Sequence, residues 1–147
     1  MQWMRNAIVV AIVSGLVLAL AACGNGGAAE PDVVDAWARP GDPGDNSAAY
    51  MNISNDSDDD ITLIAASSDV ARMVEIHESQ MEDGTMRMEE VPEIVIESGE
   101  TVSLEPGGFH VMMMNLEEAL EPGDSFSLTL HFDEIDDIEL DVPVEEQ

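Results

Sequence analysis

Phe126-Ser127-Leu128-Thr129-Leu130-His131-Phe132 decides the fold class, because apolar and polar residues alternate through it without a break. In an extended chain successive side chains point to opposite faces, so Phe126, Leu128, Leu130 and Phe132 share one face. Wound into a helix, the same residues would be scattered round the circumference. Glu121-Pro122-Gly123-Asp124, a turn signal, stands just before the stretch. A strand with one dry face needs a second layer to cover it.

The same grammar extends in both directions. Val33–Arg39, Ser47–Asn55 and Ile61–Ser67 read as strands, separated by the loop Pro40–Asn46 and the acidic run Asp56–Asp60. Arg72–Glu78 alternates, with Val74 and Ile76 on one face and Glu75 and His77 on the other. Asp83-Gly84 is a strong hairpin signal, and Thr85–Val91 returns from it. Ile94–Ile96 and Thr101–Leu104 are short strands, and Phe109–Asn115 follows the tight turn Pro106-Gly107-Gly108. The last strand puts Ile138, Leu140, Val142 and Val144 on one face. Asn115–Leu120 has room for one helical turn, and no stretch sustains a helical period. Eight or so strands in so short a domain predict an all-β Greek-key sandwich or barrel. Met51 and Met73 are expected in its core, Trp37 and Tyr50 in its core or at its edge, and His131 on its surface away from the other histidines.

Composition narrows the function. The chain has 147 residues, 45% of them hydrophobic, with 32 Asp and Glu against 4 Lys and Arg and a formal charge of −28. All the basic residues are arginine. The clustered cations that nucleic acid or an anionic bilayer requires are missing. The apolar fraction is too high for a disordered chain. A self-repelling surface without lysine suggests a protein adapted to concentrated salt, where screening removes most of the repulsion. One cysteine excludes an internal disulfide.

Residues 1–22 read as an export signal: Arg5 near the start, an apolar stretch from Ala7 to Leu20, then small residues. Leu20-Ala21-Ala22-Cys23 resembles the lipobox of bacterial lipoproteins. That resemblance implies cleavage before Cys23 and lipidation of Cys23 itself. Residues 23–31 would then be a lipidated tether and residues 32–147 the folded domain, extracytoplasmic and anchored to the cell-envelope membrane.

Eight methionines follow the leader, at 51, 73, 81, 86, 88, 112, 113 and 114, with histidines at 77, 110 and 131. A lone methionine usually fills a core gap and a lone histidine is usually a surface or hydrogen-bonded group. Here six methionines and two histidines fall into two segments, His77–Met88 and His110–Met114. Alternation puts His110, Met112 and Met114 on one face, and Met113 on the other with the core. The Asp83-Gly84 hairpin returns Met86 and Met88 towards His77. Two imidazoles and several thioethers are thereby expected at one end of a sheet, with Met81, Met86 and Met114 as accessory residues. Soft thioethers with imidazole favour Cu(I); zinc, calcium and iron–sulfur sites need other donors. A blue-copper site needs a thiolate that lipidated Cys23 cannot supply.

The spacing His77-x10-Met88-x21-His110-x-Met112 resembles the signature of the PCuAC (DUF461) periplasmic copper chaperones. The segments DAWAR, AAYMNI, EIHE, MEDGTMRM, PGGFHVMMM and EPGDSFSLTLHF resemble that family as well, over about residues 32–144. The resemblance implies a cupredoxin-like β-barrel that binds Cu(I) through His77, Met88, His110 and Met112. It implies delivery of copper to respiratory oxidase assembly, notably the CuA centre, with an oxidase subunit or another copper chaperone as partner. Copper storage or resistance through the same site is the alternative. One copper per chain is expected, since the chain stops at PVEEQ without a His- and Met-rich tail. A monomer with no bond-making chemistry is expected, because no nucleophile–base pair or phosphate loop is visible.

Overall fold

The structure is a computed structural model that describes residues 29–147. The expected signal, Cys23 and most of the tether lie outside the described residues. The elements are ten strands: β1 Asp32–Ala38, β2 Ser47–Ser54, β3 Ile61–Ser67, β4 Ala71–Glu82, β5 Thr85–Glu90, β6 Ile94–Ile96, β7 Thr101–Leu104, β8 Phe109–Leu116, β9 Ser125–Phe132 and β10 Ile138–Pro143. They form a six-stranded sheet in the order β1-β2-β7-β8-β4-β5 and a four-stranded sheet in the order β10-β9-β3-β6. The chain crosses between the sheets repeatedly, so each sheet is completed by strands distant in sequence. This is the all-β sandwich that the alternation implies, and each of its ten strands overlaps one of the stretches read as extended from sequence, against a rough count of eight.

The core lies between the two sheets. The larger sheet contributes Met51, Ile53, Ile76, Val111 and Met113; the smaller contributes Ile61, Leu63, Phe126, Leu128, Leu130 and Val142. Each such side chain adds about 1.5–3 kcal/mol by leaving water. Phe126, Leu128, Leu130 and Phe132 are all buried, and β9 pairs in register with β10, Leu128 facing Leu140. Asp83 and Gly84 both have positive φ, the geometry of a type I′ turn, and they close β4 onto β5.

Two features differ from the expected pattern. β4 runs on through Ser79, Gln80 and Met81 to Glu82, because the hairpin pairs this polar half with β5. Met73 is 51% exposed and is not a core residue. It lies two positions before Glu75 and four before His77, on the face turned away from Ile76 and the core. Tyr50 is buried and Trp37 packs against it with ring centroids 4.7 Å apart. His131 sits on β9 in the other sheet, bonded to Ser67 and Asp137.

Candidate metal centre

Strand register builds the site. β4 and β8 are antiparallel neighbours, and their paired positions are Met73 with Met114, Glu75 with Met112 and His77 with His110. β5 lies on the other side of β4, pairing Met88 with Ser79 and Met86 with Met81. All these side chains project from the outer face of the six-stranded sheet, since the alternate positions Ile76, Val111 and Met113 fill the core. The histidines and thioethers therefore meet on the outer sheet face, with His77 and His110 the last pair but one of the β4–β8 ladder.

His77 and His110 lie side by side, ring centroids 5.9 Å apart. His110 is buried, and the His77 side chain is 14% exposed. Each ring is held by one hydrogen bond. The His77 Nε2 donates to Glu75 Oε2 at 2.8 Å, and the His110 Nδ1 donates to the Gly108 carbonyl at 3.2 Å. A carboxylate and a carbonyl can only accept, so these bonds fix the tautomers and leave the lone pairs on His77 Nδ1 and His110 Nε2. Those two nitrogens are the buried side-chain polar atoms without a hydrogen-bond partner among the described residues. An unpaired buried polar atom costs about 1–3 kcal/mol. Two on adjacent rings are the arrangement a bound metal ion would satisfy.

The surroundings disfavour charge on His110. Burial pushes the His110 imidazole below its ordinary range; the Gly108 bond opposes this, while His77 and Arg39 add to it. The Tyr50 ring stands 6.3 Å from His110, with the Arg39 guanidinium 5.6 Å from the Tyr50 centroid. Burial raises the Tyr50 hydroxyl, and Arg39 partly offsets it. The turn before β8 makes the Gly108 contact, and Gly107 has φ +90°, a conformation suited to glycine. The Gly108 carbonyl also accepts from the Ser79 N–H, tying β4 to the same turn.

Among the expected ligands, Met88, His110 and Met112 line one groove, together with Arg39, Tyr50 and Met86. His77 adjoins His110 without lining that groove. Met88 is 56% exposed on β5, which ends the sheet, whereas Met112 is half-buried on central β8. Met81 and Met86 are exposed near the hairpin, and Met114 lies beyond Met112. No group of three or more His, Cys, Asp or Glu is gathered to hold a metal among the described residues. A metal held at His77 and His110 would take its other protein donors from thioethers, which makes the donor set soft. Glu75 and the Gly108 carbonyl are the contributors not singled out from sequence. Glu75 had a signal, since it shares a strand face with His77; the Gly108 contact depends on the turn geometry.

Comparison with known proteins gives a consistent picture. The LpqE-like lipoprotein family model matches residues 32–144. A protein of Leifsonia xyli subsp. xyli, named as lipoprotein Lxx21020, is 31% identical over 115 residues, which are 78% of this chain and 69% of that protein. Among solved structures, the copper-bound PCuAC domain from PmoF2 superposes with a TM-score of 0.67 at 23% identity, covering 80% of this chain and 94% of that domain. The CuI-DR1885 solution structure from Deinococcus radiodurans gives 0.59 at 27% identity, covering 80% and 81%. The fold is that of the PCuAC domains, a cupredoxin-like β-sandwich.

Proposed function

The chain belongs to the LpqE-like lipoprotein family, which is of the PCuAC type, and we propose that it is a lipid-anchored extracytoplasmic Cu(I) carrier. The relatives with bound copper and the relative named as a lipoprotein support that reading. The observation that carries it is the pair of buried, unpartnered lone pairs on His77 Nδ1 and His110 Nε2. Met88 and Met112 complete the ligand set. Four neutral donors leave the ion's charge uncompensated, and their softness selects Cu(I) over Cu(II).

The four donors differ in freedom. His77, His110 and Met112 stand on central strands, the two imidazoles locked by hydrogen bonds. Met88 stands on an edge strand and is more than half exposed. Copper is therefore released by exchange from the Met88 side: an acceptor's ligand enters as Met88 leaves, and the histidines let go last. Acyl chains on Cys23 would confine the search to the membrane surface, raising the effective concentration near a membrane-bound acceptor. That acceptor is an oxidase subunit receiving its CuA copper, directly or through another chaperone. The carrier makes and breaks no covalent substrate bond.

The test is anaerobic mixing of the Cu(I)-loaded full chain with a copper-free CuA-bearing oxidase subunit, followed by separation and copper analysis. Transfer to the subunit is expected. Retention by the carrier at equal protein concentrations would favour storage and overturn delivery.

A further inference from the structure

Among the described residues, four of the seven large hydrophobic side chains left exposed are methionines: Met73, Met81, Met86 and Met88. All four project from the same sheet face as the two histidines. The other three, Val34, Ile64 and Val95, are single residues on three different strands. Packing does not explain a half-exposed Met73. Its paired position across β4 and β8 is Met114, another thioether, and the next pair along the same face is Glu75 with Met112.

We propose that Met73 and Met114 form a second soft-metal site, an entry position beside the principal one, with Met112 between the two as the hand-over ligand. The inference rests on copper occupying the His77/His110 site. Directly opposed residues on antiparallel strands have Cβ atoms about 5 Å apart, and methionine's flexible, unbranched chain lets two sulfurs close on one ion. Thioethers alone take Cu(I) or Ag(I) and discriminate against hard cations. With no imidazole, the entry position binds more weakly than the principal site. An arriving ion is captured at exposed Met73, passes to Met112 and settles between the histidines. The acidic surface raises the local concentration of cations around it.

The experiment uses the full chain labelled with 13C at the methionine methyl groups and titrated with silver nitrate in chloride-free buffer. The first equivalent is expected to move the Met88 and Met112 methyl resonances, and the second those of Met73 and Met114. In the Met73→Leu/Met114→Leu double variant the second equivalent should be lost and the first retained; Met73→Leu alone should weaken the second. A wild-type chain that binds one ion only, a second equivalent that survives in the double variant, or one that moves Met81 and Met86 instead, would overturn the proposal. Failure of the first signature with the second intact would overturn the principal-site reading and the entry role with it, leaving a thioether site alone.

Discussion

His77 and His110 face one another across the β4–β8 pair with ring centroids 5.9 Å apart, and each keeps one buried ring nitrogen without a partner. The opposite nitrogen of each ring is tied down, to Glu75 in one case and to the Gly108 carbonyl in the other. The apoprotein thus holds two lone pairs in place before any ion arrives. That order removes part of the cost of assembling ligands around a metal.

Glu75 is a positioning residue for His77. Replacing it by leucine frees the His77 ring and loses the bond that selects the Nδ1 lone pair. Competition with a Cu(I) chelator should report roughly 10–100-fold weaker binding, the usual scale for losing such a partner. Glu75→Gln retains an acceptor and should recover most of the affinity. Equal affinity in all three proteins would remove this role.

The depressed His110 pKa gives a pH dependence of defined sign. Unfolded, this histidine titrates near its ordinary value of 6.5; folded, burial holds it lower. Between the two values the unfolded chain binds more protons. The stability that neutral His110 supplies is therefore complete above 6.5 and is lost as pH falls through the folded value. Acid also relieves carboxylate repulsion, so the comparison must be with a variant. Urea midpoints measured from about pH 7.5 to about pH 5 should fall further for wild type than for His110→Asn. A larger fall in the variant would contradict the assignment.

Two methionines of one chain separate packing from surface placement. Met113 has 0% exposure, and Met113→Ala should cost about 2–5 kcal/mol in denaturant unfolding. Met73 is 51% exposed, and Met73→Ala should change stability by no more than about 0.5 kcal/mol. Similar losses at both positions would place Met73 in the core after all.

With 32 acidic residues against the three arginines Arg39, Arg72 and Arg87, the folded surface repels itself. Raising salt from about 0.1 M to about 1 M shortens the Debye length from roughly 10 Å to roughly 3 Å. The thermal midpoint should rise across that range and level off once repulsion is screened. A midpoint independent of salt would count against adaptation to concentrated salt.

Much of this architecture could be read locally. Alternation in Phe126–Phe132 identifies β9 and its buried face, and Asp83-Gly84 marks the turn because both residues need positive φ. Partner choice was not local. Nothing within His77–Glu82 or Phe109–Asn115 says that β4 lies against β8, or that His77 falls opposite His110 rather than two residues away. That register comes from crossings between sheets. Met73 was legible but overridden: its parity with His77 points outward, while methionine's usual role points inward. The Gly108 bond to His110 needed the turn geometry, which residue types alone do not fix.

The most direct measurement is imidazole 15N spectroscopy of the full chain during anaerobic addition of one equivalent of Cu(I). The expected result is a shift of His77 Nδ1 and His110 Nε2 together, saturating at one ion, with His131 unmoved. Movement of His131, of the opposite ring nitrogens, or of no histidine at all would contradict copper carriage by this site.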